Sequence, residues 1–182
     1  MTKTILQNLI KEIEEINAVL RTLRPIDQNL NKVLQDRLRI EWIYNSNAIE
    51  WNTLTFWETS FFLREGLTSE GKPLKDFLEA KNHAEAIDVL EDIIQNKPDL
   101  TEFFIKSLHS ILLKDMDYTV AKGQNGQYIK KKLNIGQYKI QPNHVLTASG
   151  KIHNYCDPLH VPLEMENLVK WLNPAEAKNM SA

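Results

Sequence analysis

A mainly α-helical fold with one small β-hairpin is predicted by three features of the sequence. Apolar residues recur at steps of three or four over most of the first two thirds of the chain. Good capping residues stand where those stripes begin, and glycine or proline stands where they end. Between positions 118 and 155 the helical period lapses, and four of the six glycines fall there among short alternating runs.

The first helix is drawn by Ile5, Leu9, Ile13, Ile16, Leu20 and Leu23, a single apolar stripe that Pro25 stops. Asp27 is a good N-cap for a second helix carrying Leu30, Val33, Leu34, Leu38 and Ile43 and running into Tyr44 and beyond. Thr55 and Glu58 have the spacing of a capping box, which opens a third helix that Gly66 should close. A turn at 68–73 leads to a fourth helix with Leu74, Phe77, Ala80, Ala84, Ile87, Leu90 and Ile94, ended by Lys97 and Pro98. A fifth begins near Thr101 and carries Phe104, Leu108, Ile111 and Leu112. Gln127, Tyr128 and Ile129 are expected to pair with Tyr138, Lys139 and Ile140 as the arms of the hairpin. A last helix follows Pro162, with Leu163, Leu168 and Leu172 on its inner side.

Composition narrows the function classes. The chain has 182 residues, enough to bury a core, with 42% hydrophobic and 25% charged residues. A formal net charge of −2 supplies no global basic field for nucleic acid. One cysteine, Cys156, allows no internal disulfide and suits a reducing compartment. The N-terminus interleaves Lys, Gln and Glu with aliphatics, unlike a signal peptide, and no stretch approaches the ~20 apolar residues of a membrane span. A cytoplasmic protein without membrane or nucleic-acid partners is the expectation.

The sharpest local signal is the run SNAIEWNTLT at 46–55. Ser46 and Glu50 stand four apart, so a helix would point both to one side. Ile49 and Trp51 flank the carboxylate, which suggests a helix end pressed against something apolar. Buried there, Glu50 would need a cation, because an unpaired buried charge costs several kcal/mol. Without more context, an exposed Glu near a helix C-terminus explains the same residues.

This run resembles the inhibitory string (S/T)xxxE(G/N), often SxxIEGNxLT, of the Fic (Fido-domain) proteins that carry a built-in inhibitory helix. Ser46, Ile49, Glu50, Asn52, Leu54 and Thr55 match it, whereas Trp51 stands where Gly or Asn is usual. Later stretches resemble the family in order and spacing. These are residues 66–76 with Glu79 and the run 82–86, residues 105–112, Gly126 with Gln127 and Tyr128, and Pro142, Gly150, Tyr155 and Pro158 with Val161 and Pro162 through 168–173. At Ile129 the family often has Arg.

The resemblance implies a fold of a Fic-like helical N-terminal region joined to a partial Fido core with a hairpin flap. It places the helical region over 1–100 with the inhibitory helix near 43–52, the first part of the core over 101–173, and a frayed tail over 174–182. It implies AMP transfer from ATP, with Mg²⁺, to a protein hydroxyl. In that scheme Glu50 reaches an arginine of the nucleotide site, Ser46 helps to hold the helix, and Asn52 belongs to the same inhibitory string. The flap, with Tyr128, Lys130, Lys132, Leu133 and Ile135, would dock a target segment along its edge. Residues 130–132, all lysine, would favour an acidic target, and equally suit protection of an edge strand from aggregation.

The family's catalytic motif, HxFx(D/E)GNGRxxR, has no counterpart. His109 is followed by Ser-Ile, His144 by Val-Leu, His153 by Asn-Tyr and His160 by Val-Pro, and no Gly-Asn-Gly occurs. The motif would fall beyond Asn173, so the chain is expected to be inactive as it stands, with no catalytic residue of its own and no tight binding of ATP or Mg²⁺. His144, His153, Cys156 and His160 have zinc-like spacing, but the prolines and glycines around them suit a loop, and no metal is expected. A homo-oligomer or a Fic-protein partner would cover the apolar surface of the later helices. The rival readings are a non-enzymatic antitoxin-like module offering Glu50 in trans, and a helical protein-interaction module.

Overall fold

The computed structural model describes residues 2–96, 99–116, 118–122 and 126–173. The expected tail at 174–182 lies outside them. The chain divides into two compact units, Met1–Trp42 and Ile43–Ala182.

The first unit holds α1 (Thr2–Thr22) and the longer part of α2 (Gln28–Ile49). Asp27 opens α2 as its sequence position suggests: its Oδ1 accepts the N–H groups of Asn29 and Leu30, both at 3.0 Å.

The second unit begins with the last turns of α2 and continues through α3 (Phe56–Glu65), α4 (Leu74–Asn96), α5 (Glu102–Leu112) and α6 (Val161–Leu172). The capping box of α3 is complete. Thr55 Oγ1 accepts from Glu58 N, Glu58 Oε2 accepts from Thr55 N, and Gly66 ends the helix in the left-handed region at φ 71°. Thr101 caps α5 by accepting from Phe104 N. The core of this unit is small. Ile43, Leu54, Phe77, Ala80 and Ile87 are buried together, with Phe62, Leu63 and Ala84 packed around them. Phe62 meets Phe77 edge to face at 5.1 Å.

Asn82 joins α4 to α5. Fully buried, it donates through Nδ2 to the carbonyls of Leu112 and Lys114, at 3.3 and 2.7 Å, and so satisfies backbone acceptors at the end of α5. Asn173, at the end of α6, exchanges two hydrogen bonds with the backbone of Leu100, which tethers α6 to the start of α5.

Two antiparallel hairpins lie between α5 and α6. β1 (Tyr118–Lys122) pairs with β2 (Tyr128–Lys132), Val120 facing Lys130, and β3 (His144–Leu146) pairs with β4 (Ile152–Asn154). The first corrects the expected pairing. Tyr128 and Ile129 do lie on a strand, but it runs on through Lys132 where a connecting loop was expected, its partner precedes it, and Tyr138, Lys139 and Ile140 form no strand. That segment is held elsewhere. Gly136 N–H donates to His109 Nδ1 at 2.9 Å, and Tyr138 OH donates to Glu102 Oε2 at 2.5 Å. Gly136 is buried with φ 69°, and a Cβ there would collide with Ser110 Oγ, so only glycine lets the loop approach α5 so closely.

The inner face of α6 is also shifted from expectation. Leu163 and Leu168 are exposed, whereas Val161, Met165, Val169 and Leu172 are the half-buried residues. Steps of four, four and three keep that second set on one stripe, which the five-residue step from Leu163 to Leu168 does not. Among the described residues, no helix is long and apolar enough to cross a membrane.

Candidate functional site

The run 46–55 forms the end of α2 and its link to α3. The helix stops in a Schellman turn. Trp51 N–H donates to the Ala48 carbonyl at 3.1 Å, Asn52 N–H donates to the Asn47 carbonyl at 3.0 Å, and Trp51 takes the left-handed conformation at φ 67°. Trp51 therefore occupies the backbone position that favours glycine. Its indole is 90% exposed and recovers little by packing. Trp51→Gly is expected to raise stability by about 0.5–1 kcal/mol, the left-handed strain of a β-carbon less the entropy of glycine. Thermal unfolding checks this: a rise of about 2–4 °C per kcal/mol is expected, and an unchanged or lower midpoint counts against the strain.

The chain leaving this turn is clamped to the N-terminus of α4. Asn52 Nδ2 donates to the Asp76 carbonyl at 2.9 Å and to Glu79 Oε2 at 3.0 Å, and Asn52 Oδ1 accepts from Leu54 N. The buried Asp76 carboxylate accepts both the N–H and the hydroxyl of Thr53, at 2.8 and 2.6 Å. Lys72 Nζ reaches the Thr53 carbonyl and lies 3.4 Å from Glu58. Ile43 before the turn and Leu54 after it are both buried in the core. The turn is thus fixed on both sides by apolar packing and on one side by a charged clamp.

Between those anchors Glu50 is exposed, and no ion pair is found for it among the described residues. Ile49 and Trp51 are exposed as well, at 76% and 90%, so the expected apolar surface against this helix end is not supplied by the described residues. Ser46 is half-buried, one turn before Glu50. Asn52, grouped with them by sequence, does something different: its side chain is spent on the clamp. One neighbouring polar contact has no local sequence signal. Asn47, inside the run, has its Oδ1 at 3.4 Å from His83 Nδ1, and its buried Nδ2 finds no partner among the described residues.

The electrostatics of the clamp give a pH dependence. The Glu58 carboxyl is held down at about 2, chiefly by the backbone and hydroxyl hydrogen bonds of Thr55, with Ser69 and Lys72 adding to them. Burial lowers the pKa of His83. Both shifts mean that the unfolded chain binds more protons than the folded one, so stability rises with pH in both windows. It is expected to fall first as pH drops below the ordinary 6.5 of histidine, and again from 4.5 towards 2 as Glu58 is protonated. Melting temperatures across pH 2–8 check this: His83→Gln should flatten the upper step, and Glu58→Gln the lower.

The flap residues fall on one hairpin and the loop after it. Tyr128, Lys130 and Lys132 alternate along β2 and share a face, opposite Tyr118 and Val120 of β1, while Leu133 and Ile135 follow the strand half-buried. The base of this loop is tied to α5 through Gly136 and His109, and through Tyr138 and Glu102. Lys106 lies 3.7 Å from the centre of the Tyr138 ring. Burial, reinforced by Glu102, raises the Tyr138 hydroxyl to about 12, so it remains a donor. Helix α2 reaches α4 through Asn52, and α4 reaches α5 through Asn82. The helix end and the flap therefore hang from the same pair of helices.

His144 and His153 lie on β3 and β4, with the His153 ring edge-on to Tyr155 at 5.1 Å. Cys156 is exposed. Among the described residues, no three His, Cys, Asp or Glu side chains gather as a metal site.

Comparison with solved structures decides the fold family. A Fic domain containing signaling protein from Bacteroides thetaiotaomicron VPI-5482 superposes with a TM-score of 0.78 and 32% identity, covering 93% of this chain and 59% of that one. The fold is that of Fic-domain proteins. A Fic family protein from Desulfovibrio desulfuricans G20 shares the fold at a TM-score of 0.62 and 22% identity, over 96% of this chain and 45% of its own. The Fic-like chain thus spans less than two thirds of either structure. No protein-family model and no curated protein matches its sequence.

Proposed function

We propose that this chain is the regulatory and target-docking portion of a Fic-type protein adenylyltransferase, with Glu50 as its brake. The observation that carries the proposal is the helix end at 46–52. A carboxylate stands exposed on a turn that is anchored on both sides by packing and by the Asp76 clamp. An exposed carboxylate on an anchored backbone suits insertion into a cationic site supplied elsewhere, because docking need order only the side chain and not the turn. Its match to the family's inhibitory string supplies the identity of that site: an arginine beside the phosphates of ATP.

The residues of this chain do not themselves fit ATP or Mg²⁺. The sequence has no HxFx(D/E)GNGR string, and among the described residues no three His, Cys, Asp or Glu side chains gather to hold a metal ion. What the chain contributes is control and docking. Glu50 would hold the nucleotide-site arginine away from ATP, Ser46 and the clamp would fix the helix end, and the β1–β2 hairpin would align a target segment by strand addition.

The reaction proposed for the joined polypeptide is attack of a target hydroxyl on the α-phosphorus of ATP, with pyrophosphate leaving. The test joins this sequence to a segment carrying HxFx(D/E)GNGR and supplies ATP labelled at either the α- or the γ-phosphorus. Label is expected on protein from α-labelled ATP only. Label from the γ-position, or none from either even with Glu50 replaced, overturns the proposal. The exposure of Ile49, Glu50 and Trp51 also favours a second reading, in which the same helix end silences a separate Fic protein in trans.

A further inference from the structure

Alongside the hairpin the chain forms an open cleft of about 560 Å³, within the range of ligand sites. It lies between α5, the strand pair and the loop that follows β2. Lys131 and Lys132 of β2, Lys139 of the loop and His109 of α5 line it, and Leu133 and Ile140 give it apolar wall; no Asp or Glu contributes. His109 Nδ1 is occupied by the Gly136 N–H, so the neutral ring carries its proton on Nε2 and is a donor there. Asn143 Oδ1 accepts from Lys139 Nζ, which holds that ammonium in place without neutralising it. No ion pair of Lys131 or Lys132 is found among the described residues. This concentration of cations belongs to a chain whose formal net charge is −2.

Edge protection accounts for an exposed strand lysine that lines no concavity, such as Lys130. It does not account for Lys131, Lys139 and His109 converging on one concavity from three separate segments. We propose that this cleft receives an acidic side chain of the peptide that docks on the β1–β2 hairpin, so that the protein selects targets with Glu or Asp near the modified hydroxyl. The inference rests on the docking role proposed above for the hairpin. Continuity favours a peptide as the occupant: Lys131 and Lys132 belong both to the cleft and to the strand that the target would follow. Leu133 and Ile140 suit the aliphatic stem of a glutamate, and the cations suit its carboxylate.

The test measures binding of two short fluorescein-labelled peptides by anisotropy. They are identical around a central threonine except that Glu and Asp in one are Gln and Asn in the other. The acidic peptide is expected to bind about tenfold more tightly at about 50 mM salt, with the preference shrinking towards about 300 mM. The double change Lys131→Gln, Lys132→Gln should abolish the preference, and Lys151→Gln, which removes a charge outside the cleft, should retain it. Equal binding of the two peptides overturns the inference while leaving hairpin docking intact. Failure of both peptides to bind overturns it too, and AMP transfer by the joined polypeptide remains the separate test of the function proposed above. Tighter binding of a short oligouridylate than of the acidic peptide overturns it in favour of a nucleic-acid ligand.

Discussion

Phe77→Ala is expected to cost about 3–5 kcal/mol of folding free energy, a large part of the 5–15 kcal/mol that holds a typical domain together. Phe77 is 1% exposed and sits at the centre of the buried cluster, edge-on to Phe62 and beside Ile43, Leu54, Ala80 and Ile87. Two of those neighbours flank the turn at 46–52, so the cavity left by the ring would loosen the mount of Glu50 as well as the core. Thermal unfolding should show a midpoint lower by about 6–20 °C, or no cooperative transition at all. Leu74→Ala is the control on the same helix. That side chain is 67% exposed, and its removal should change stability by no more than about 0.5 kcal/mol. A midpoint for Phe77→Ala within a degree or two of the parent would mean that the core lies elsewhere.

Glu50→Gly separates function from folding in the opposite way. Glu50 is exposed and is not ion-paired among the described residues, so its replacement should cost no more than the backbone entropy of glycine, about 0.5–1 kcal/mol. In the joined polypeptide, the same change would remove the charge that restrains the nucleotide-site arginine. A coupling of about 1–3 kcal/mol between that contact and productive ATP binding corresponds to roughly 5- to 150-fold in AMP transfer. Glu70→Gln, on the exposed turn before α4, removes a charge of the same sign and should change neither quantity.

The helices were legible because their signals are local. Asp27, the Thr55 and Glu58 pair, Gly66 and Thr101 each act within four residues of their own position, and each does in the fold what its spacing implies. The hairpin was only half legible. The start of the strand at Tyr128 and Ile129 could be read, but its run through the lysines and its partner could not, because Gly136 and Tyr138 are diverted by His109 and Glu102 some thirty positions earlier. No local pattern announces such contacts. The second hairpin had a signal in reach: Thr147 and Gly150 bracket its tight turn, where Thr147 Oγ1 bonds both the N–H and the carbonyl of Lys151.

At the candidate site, the residue types were readable and their division of labour was not. Asn52 could be read only as a match to the family string, and its hydrogen bonds to α4 could not, while Asp76, which bonds Thr53, resembled any acidic residue in a first helical turn. Trp51 is the sharpest case. Sequence marks it as a departure from the family string, and only the backbone shows that it occupies a left-handed position without a glycine.

The measurement that bears most directly on the central claim is the rate at which α-labelled ATP marks protein in the joined polypeptide, with Glu50 intact and with Glu50→Gly, both proteins being held well below their melting transitions. A rise of about fivefold or more on replacing Glu50 is the predicted result. Equal rates in the two proteins would contradict the account, because an exposed carboxylate that restrains nothing is no brake.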